Sequence, residues 1–187
     1  MGDEEVIRFV GVPERVDLDD GVVVRRYVED DIPHLVDVVN ANIEHLAPWM
    51  PWAQQPVTVD AQMQFFREAD KQWDEGTNFV YGVFDVDGHV VGGSGYHVRN
   101  GAGVLEIGYW LAADSVGHGL MTRVTDALTK AAATVPGVTR VEIHCDAANT
   151  RSAAIPERLG YALTRVEDRE IAAPAESGRG LVWTMAV

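Results

Sequence analysis

Between residues 104 and 159 the apolar pattern switches from a strand period to a helix period and then does so again, and no other feature constrains the fold as much. Val104, Leu105, Ile107, Tyr109, Trp110 and Leu111 read as a strand, after which Gly117-His118-Gly119 opens a helix carrying Leu120, Val124, Ala127, Leu128 and Ala131. Beyond Pro136-Gly137 the order repeats, with a strand over 140–145 and a short helix over 150–159. Elements that alternate in this way cover one another's apolar faces, which points to the α/β or α+β class.

The flanking sequence extends the same architecture. Residues 22–27 read as a strand, and Asp30 and Asp31 offer an N-cap for a helix through Leu35, Val39 and Ile43 that ends near Ala47, before Pro48 and Pro51. A second helix spans 59–75, with Met63, Phe66, Ala69 and Trp73 near one face and Gly76 as its stop. Two strands, 79–85 and 89–98, flank Val86-Asp87-Gly88, a hairpin signal. Strands over 161–171 and 181–187 close the sheet, with 172–180 expected as an exposed turn. No internal repeat or linker interrupts the chain, so one domain over residues 1–187 is expected, with an acidic leader over 1–20.

Composition narrows the classes of function. At 187 residues and 47% hydrophobic the chain can bury a sizeable core. A formal charge of −14 argues against nucleic acid or a membrane surface as partner, since both need clustered Lys and Arg, and favours a cationic substrate such as an amine. The acidic start Met1-Gly2-Asp3-Glu4-Glu5 lacks the pattern of a secretory signal, and no apolar run is long enough to cross a membrane, so a cytoplasmic protein is expected. Cys145 is the lone cysteine and alternates with Val141 and Ile143 as a core residue would. His34, His45, His89, His97, His118 and His144 show no ligand spacing, so no metal is expected.

Three places carry candidate chemistry. Residues 117–121 form a glycine-bounded loop at a helix N-terminus, where unpaired N–H groups and the positive end of the helix dipole suit a pyrophosphate, although a plain strand-to-helix turn looks the same. Glu106 shares a strand face with Gly108 and Trp110. A lysine-like amine is protonated at neutral pH and must lose a proton before it attacks a carbonyl, so Glu106 is a candidate base, or else half of a structural ion pair. Asn149 ends its strand and reads as a helix N-cap.

The stretch over 146–161, where Asn149-Thr150-Arg151-Ser152 leads through a short helix to Leu159-Gly160-Tyr161 with Gly117-His118-Gly119 one unit upstream, resembles the GNAT superfamily of N-acetyltransferases. The runs Glu106-Ile107-Gly108-Tyr109-Trp110-Leu111 and His45-Leu46-Ala47-Pro48-Trp49-Met50-Pro51-Trp52 are similar to its RimJ and RimL branch, the ribosomal-protein N-terminal acetyltransferases, so the likeness covers about residues 20–187. It implies a mixed, mostly antiparallel, twisted sheet with flanking helices, whose central strands splay apart around acetyl-coenzyme A. In that frame Val116, Gly117, His118, Gly119, Leu120 and Met121 cradle the pyrophosphate, with Val116 in place of the family's Gln or Arg and Met121 in place of a small residue. Trp110, Leu111, Ser152 and Asn149 lie along the pantetheine arm, and a backbone N–H near 110–112 serves the oxyanion. Pro156 stands where relatives often place an acidic tyrosine, which leaves the Ser152 hydroxyl as the nearest donor, as in RimL-like enzymes. Pro156 also removes the N–H that would bond the Ser152 carbonyl, so the helix should kink or start late. Trp49 and Trp52 line the acceptor pocket or plug the core.

The resemblance therefore implies an acyltransferase that moves acetyl directly from acetyl-coenzyme A onto a primary amine, with a protein N-terminus as acceptor, no metal, and a homodimer as the assembly. An acetyltransferase of small-molecule amines, such as an antibiotic or polyamine, and a non-catalytic acyl-coenzyme A sensor are the competing readings.

Overall fold

The computed structural model describes residues 6–187; residues 1–5, which carry the expectation about a secretory signal, lie outside the described residues. In chain order the elements are β1 (Arg15–Asp17), β2 (Val23–Arg25), α1 (Ile32–Ala41), α2 (Ile43–Leu46), α3 (Val59–Glu75), β3 (Asn78–Phe84), β4 (Val90–His97), β5 (Val104–Leu111), α4 (Leu120–Ala132), β6 (Arg140–Asp146), α5 (Thr150–Leu159), β7 (Ala162–Asp168) and β8 (Arg179–Ala186). The strands form one eight-stranded sheet in the order β1-β2-β3-β4-β5-β6-β8-β7. Every neighbouring pair is antiparallel except β5 and β6, which are parallel because α4 carries the chain back between them. This is the mixed α/β arrangement expected from the alternating periods.

The parallel pairing covers only Val104↔Arg140, Leu105↔Val141 and Glu106↔Glu142, although β5 continues to Leu111 and β6 to Asp146. Past Glu106 each strand follows its other neighbour, β4 for β5 and β8 for β6, and the two halves of the sheet part. Where the strands begin to part, Leu105 and Ile107 of β5 share one core cluster with Val141 and Ile143 of β6 and Val124 and Leu128 of α4, all at most 1% exposed. Each of these buried side chains is worth about 1.5–3 kcal/mol, so the opening sits on a stiff base.

Three local expectations differ from the structure. Residues 6–20 of the segment read as a leader are docked: Phe9 and Val12 are buried, the Phe9 N–H donates to the Gly76 carbonyl at 2.9 Å, and β1 is a strand of the sheet. The first helix breaks at Asn42, at φ −115° and ψ 13°, where the side chain donates to the Val38 carbonyl at 2.8 Å and accepts from the Ala113 N–H at 2.8 Å. Asp31 does not cap α1; its carboxylate pairs with Arg25 at 2.8 Å and accepts from the Val28 N–H at 2.7 Å. Among the described residues no helix is long and apolar enough to cross a membrane.

Candidate active site

Strand register sets the floor of a cleft of about 640 Å³. Across β3, β4, β5 and β6 the paired residues run Asn78, His97, Glu106, Glu142, and the parallel row one step along runs Val80, Gly95, Gly108. A polar row therefore lies beside a nearly bare one. A Cβ on Gly95 would meet the Phe79 carbonyl oxygen at 2.7 Å, and one on Gly108 would come within 3.0 Å of His97 Nε2. Next along, Gly93 lets the Trp110 indole lie across β4, where a Cβ would stand 2.4 Å from Nε1. Trp52 packs edge-on against Trp110 with ring centroids 5.8 Å apart, and Trp49 and Trp52 both line the cleft rather than plug the core.

Glu106 is 3% exposed, and both of its oxygens are occupied. Arg99 grips it through two nitrogens, Nε at 2.9 Å from Oε2 and Nη2 on Oε1, while Asn100 Nδ2 donates to Oε2 at 2.7 Å. Burial alone would raise its pKa, but the Arg99 hydrogen bonds together with His144, 3.7 Å away, hold the carboxyl below the usual range. His144 also bonds Glu142 at 2.8 Å, so the two buried carboxylates share a cationic and amide shell. Of the two sequence readings of Glu106, this geometry favours the ion pair: a carboxylate already satisfied by three donors is a weak proton acceptor.

Where β5 and β6 part, α5 approaches and Ser152 faces the gap. Asn149 caps α5 by accepting from the Ser152 N–H through Oδ1 at 3.2 Å. Its Nδ2 makes no hydrogen bond among the described residues, so capping and binding of a pantetheine carbonyl use different atoms of one side chain. The helix runs unbroken through Pro156 instead of starting late. The Ser152 carbonyl, which Pro156 cannot satisfy, accepts instead from the Tyr109 hydroxyl at 3.1 Å, and Ser152 Oγ donates back to that hydroxyl at 3.2 Å. Burial pushes the Tyr109 pKa well above the ordinary tyrosine range, so this hydrogen stays in place. The sequence reading took Tyr109 as a strand residue and gave it no chemical part. Cys145 lines the same gap with its thiol pushed up by burial.

At the far end of β5, Gly117 and Gly119 hold φ values of 93° and 71°, and Gly119 is the N-cap of α4. The N–H groups of Gly117, His118, Gly119, Leu120 and Met121 have no acceptor among the described residues, whereas that of Val116 bonds the Ala113 carbonyl at 3.2 Å. Five free amides at a helix start fit a pyrophosphate. Ala112 is spent on the Val91 carbonyl at 2.9 Å, and the alternation of an antiparallel edge then turns the amides of Tyr109 and Leu111 toward the split.

The connection from β7 to β8, expected as an exposed turn, is anchored instead. Asp146 accepts from the N–H groups of Ala148 and Ser177 at 2.9 Å, from Ser177 Oγ at 2.7 Å and from the Gly178 N–H at 3.1 Å. The Ala175 N–H reaches the Pro48 carbonyl at 2.9 Å, which joins this connection to the tryptophan loop over the cleft.

Residues 22–162 match the family model described as an acetyltransferase (GNAT) domain. YdaF of Bacillus subtilis (strain 168), provisionally named a ribosomal N-acetyltransferase, is 25% identical over 141 residues, 75% of this chain and 77% of its own. Two solved structures share the fold. RimL, the ribosomal L7/L12 alpha-N-protein acetyltransferase in complex with coenzyme A, superposes with a TM-score of 0.84 at 19% identity over 93% of this chain and 98% of that one. The microcin C7 self-immunity acetyltransferase MccE, in complex with acetyl-CoA and AMP, gives 0.81 at 17% identity over 90% and 94%.

Proposed function

The chain belongs to the acetyltransferase (GNAT) family and is an acyltransferase, and from that premise we propose that it moves the acetyl group of acetyl-coenzyme A directly onto a primary amine, the N-terminal α-amine of a protein. One observation carries this reading: β5 leaves β6 at Glu106, and Asn149 and Ser152 line the cleft at that opening over a bare glycine floor, while the chain beyond the end of β5 presents the free amides of 117–121 at the start of α4. The coenzyme supplies acetyl as a thioester. The amides of 117–121 hold its pyrophosphate, Asn149 Nδ2 and the open edge of β5 take its pantetheine amides, and the Tyr109 or Leu111 N–H receives the oxyanion. Ser152 turns its one hydroxyl hydrogen from the Tyr109 oxygen to the departing sulfur, and the buried charge of Glu106 draws the acceptor ammonium to the floor between Trp49, Trp52 and Trp110.

An α-amine acceptor is supported by the likeness to YdaF and RimL. A small-molecule amine is the second reading, supported by the likeness to MccE. Calorimetric titration with acetyl-coenzyme A, followed by thiol release on adding N-terminal peptides and small amines in parallel, tests both. Binding with peptide-dependent release is the expected result. Release with small amines alone would move the acceptor class, binding with no release would make the chain a sensor, and absence of binding would overturn the reading.

A further inference from the structure

Acetyl transfer needs a group that takes one proton from the acceptor ammonium, and the cleft floor holds one besides Glu106. His97 ends β4, lines the cleft and stands in register between Asn78 and Glu106. Its Nδ1 lies 2.8 Å from Asn78 Oδ1. Asn78 is itself oriented, because its Nδ2 donates to Gln72 Oε1 of α3 at 3.0 Å. With the amide oxygen of Asn78 facing the ring, the hydrogen of a neutral imidazole sits on Nδ1 and the lone pair on Nε2. Nε2 makes no hydrogen bond among the described residues and lies over the bare part of the floor, 3.0 Å from where a Gly108 Cβ would stand. Any larger residue at 108 would cover it.

We propose, resting on the acetyltransferase reading above, that His97 Nε2 is the catalytic base. It accepts one proton of the acceptor ammonium, and the freed lone pair forms the bond to the acetyl carbonyl carbon. The carbon–sulfur bond breaks with its electron pair on sulfur, the second amine proton reaches the sulfur through Ser152, and the imidazolium returns its proton to solvent. The charged and titratable groups around His97 are Arg99 on its own strand and Glu106 on β5, with Glu142 and the titratable His144 of β6 beyond Glu106; β3 and α3 present the neutral amides of Asn78 and Gln72. Burial, and then Arg99, hold the ring below the ordinary histidine range against the pull of Glu106, so the lone pair is free at neutral pH. Glu106 stabilises the imidazolium that forms without taking the proton itself.

Two measurements on the whole chain decide this. Long-range proton–nitrogen spectra of the histidines should show His97 neutral at pH 7 with its hydrogen on Nδ1. Asn78→Asp sets a carboxylate on that hydrogen and should move both the ring titration and the rising limb of kcat/KM upward by about one pH unit. His97→Gln should cut kcat by about 10²-fold and remove the limb, while affinity for coenzyme A stays within about twofold. Glu106→Gln should keep the limb and raise the acceptor KM. A ring charged at pH 7, a hydrogen on Nε2, or a limb that survives His97→Gln and disappears in Glu106→Gln overturns the proposal. A chain that turns over with an unchanged limb in His97→Gln defeats this inference alone, whereas a chain that binds the coenzyme but releases thiol with no amine defeats the acetyltransferase reading, and the base assignment with it.

Discussion

Pro156 takes a backbone donor away from Ser152, and Tyr109 supplies the replacement from a different element. The single Tyr109 hydrogen is committed to the carbonyl, so its oxygen is left to accept from Ser152 Oγ, which holds the serine hydroxyl at the mouth of the split. Tyr109→Phe leaves that half-buried carbonyl unpaired and should cost about 1 kcal/mol of stability. In a Pro156→Ala background the restored N–H bonds the same carbonyl, so the tyrosine change should cost less. A double-mutant cycle in denaturant should return a coupling of about 0.5–1 kcal/mol, and strict additivity would show that the carbonyl does not link the two residues. Ser152→Ala, which removes the donor and leaves the carbonyl circuit intact, should lower kcat by about 10-fold or more with little change in KM for the coenzyme, measured in the thiol-release assay.

Among the elements, the connection between β7 and β8 depends most on one side chain. Burial opposes ionisation of Asp146, yet hydrogen bonds from the Ser177 backbone and hydroxyl, Ala148 and Gly178 outweigh it and bring its pKa down to about 2. A carboxyl whose pKa is lower in the folded chain than in the unfolded one adds stability that is fully present above about pH 4 and is lost as the pH falls through about 2. Asp146→Asn should therefore destabilise the protein at neutral pH, with a difference from wild type that shrinks toward pH 2, and hydrogen exchange at Ser177 and Gly178 should quicken first. If the difference stays constant with pH, the carboxylate charge is not what anchors this connection. Sequence alone carries no trace of that tie, because Ser177 lies 31 residues from Asp146 and meets it only after β6 and β8 have paired. The same holds for His97, one of six scattered histidines until register sets it beside Asn78, 19 residues away. The limits of α3, β5 and α5 were readable because each joins a periodic apolar face to a cap or a glycine stop. Candidate residues at chain punctuation, such as Asn149 and residues 117–121, were readable for the same reason. The divergence of β5 from β6 has no such marker, since it follows from the strands each pairs with on its other side, and it entered the sequence reading only through family likeness.

For the molecule as a whole, a net charge of −14 acts on the two substrates with opposite sign. The coenzyme is a polyanion, and in the function proposed above the amides at 117–121 would meet its pyrophosphate with dipoles rather than free charge; nearby Arg123 is already paired with Asp20 at 2.6 Å. Its approach is therefore opposed by the field of the protein and helped by screening. An ammonium acceptor is drawn by the same field toward Glu106, and screening works against it. With a Debye length near about 10 Å at 0.1 M, raising salt from about 0.02 to 0.2 M spans the range in which this field is cut off. The KM of the acceptor should rise several-fold over that range while the KM of acetyl-coenzyme A falls, both from steady-state thiol release. If both rise, the phosphates are held by charged side chains rather than by the loop amides. If the acceptor KM stays flat, the acidic surface plays no part in capturing the amine, and selection of the acceptor rests on the short-range contacts of the tryptophan-lined floor.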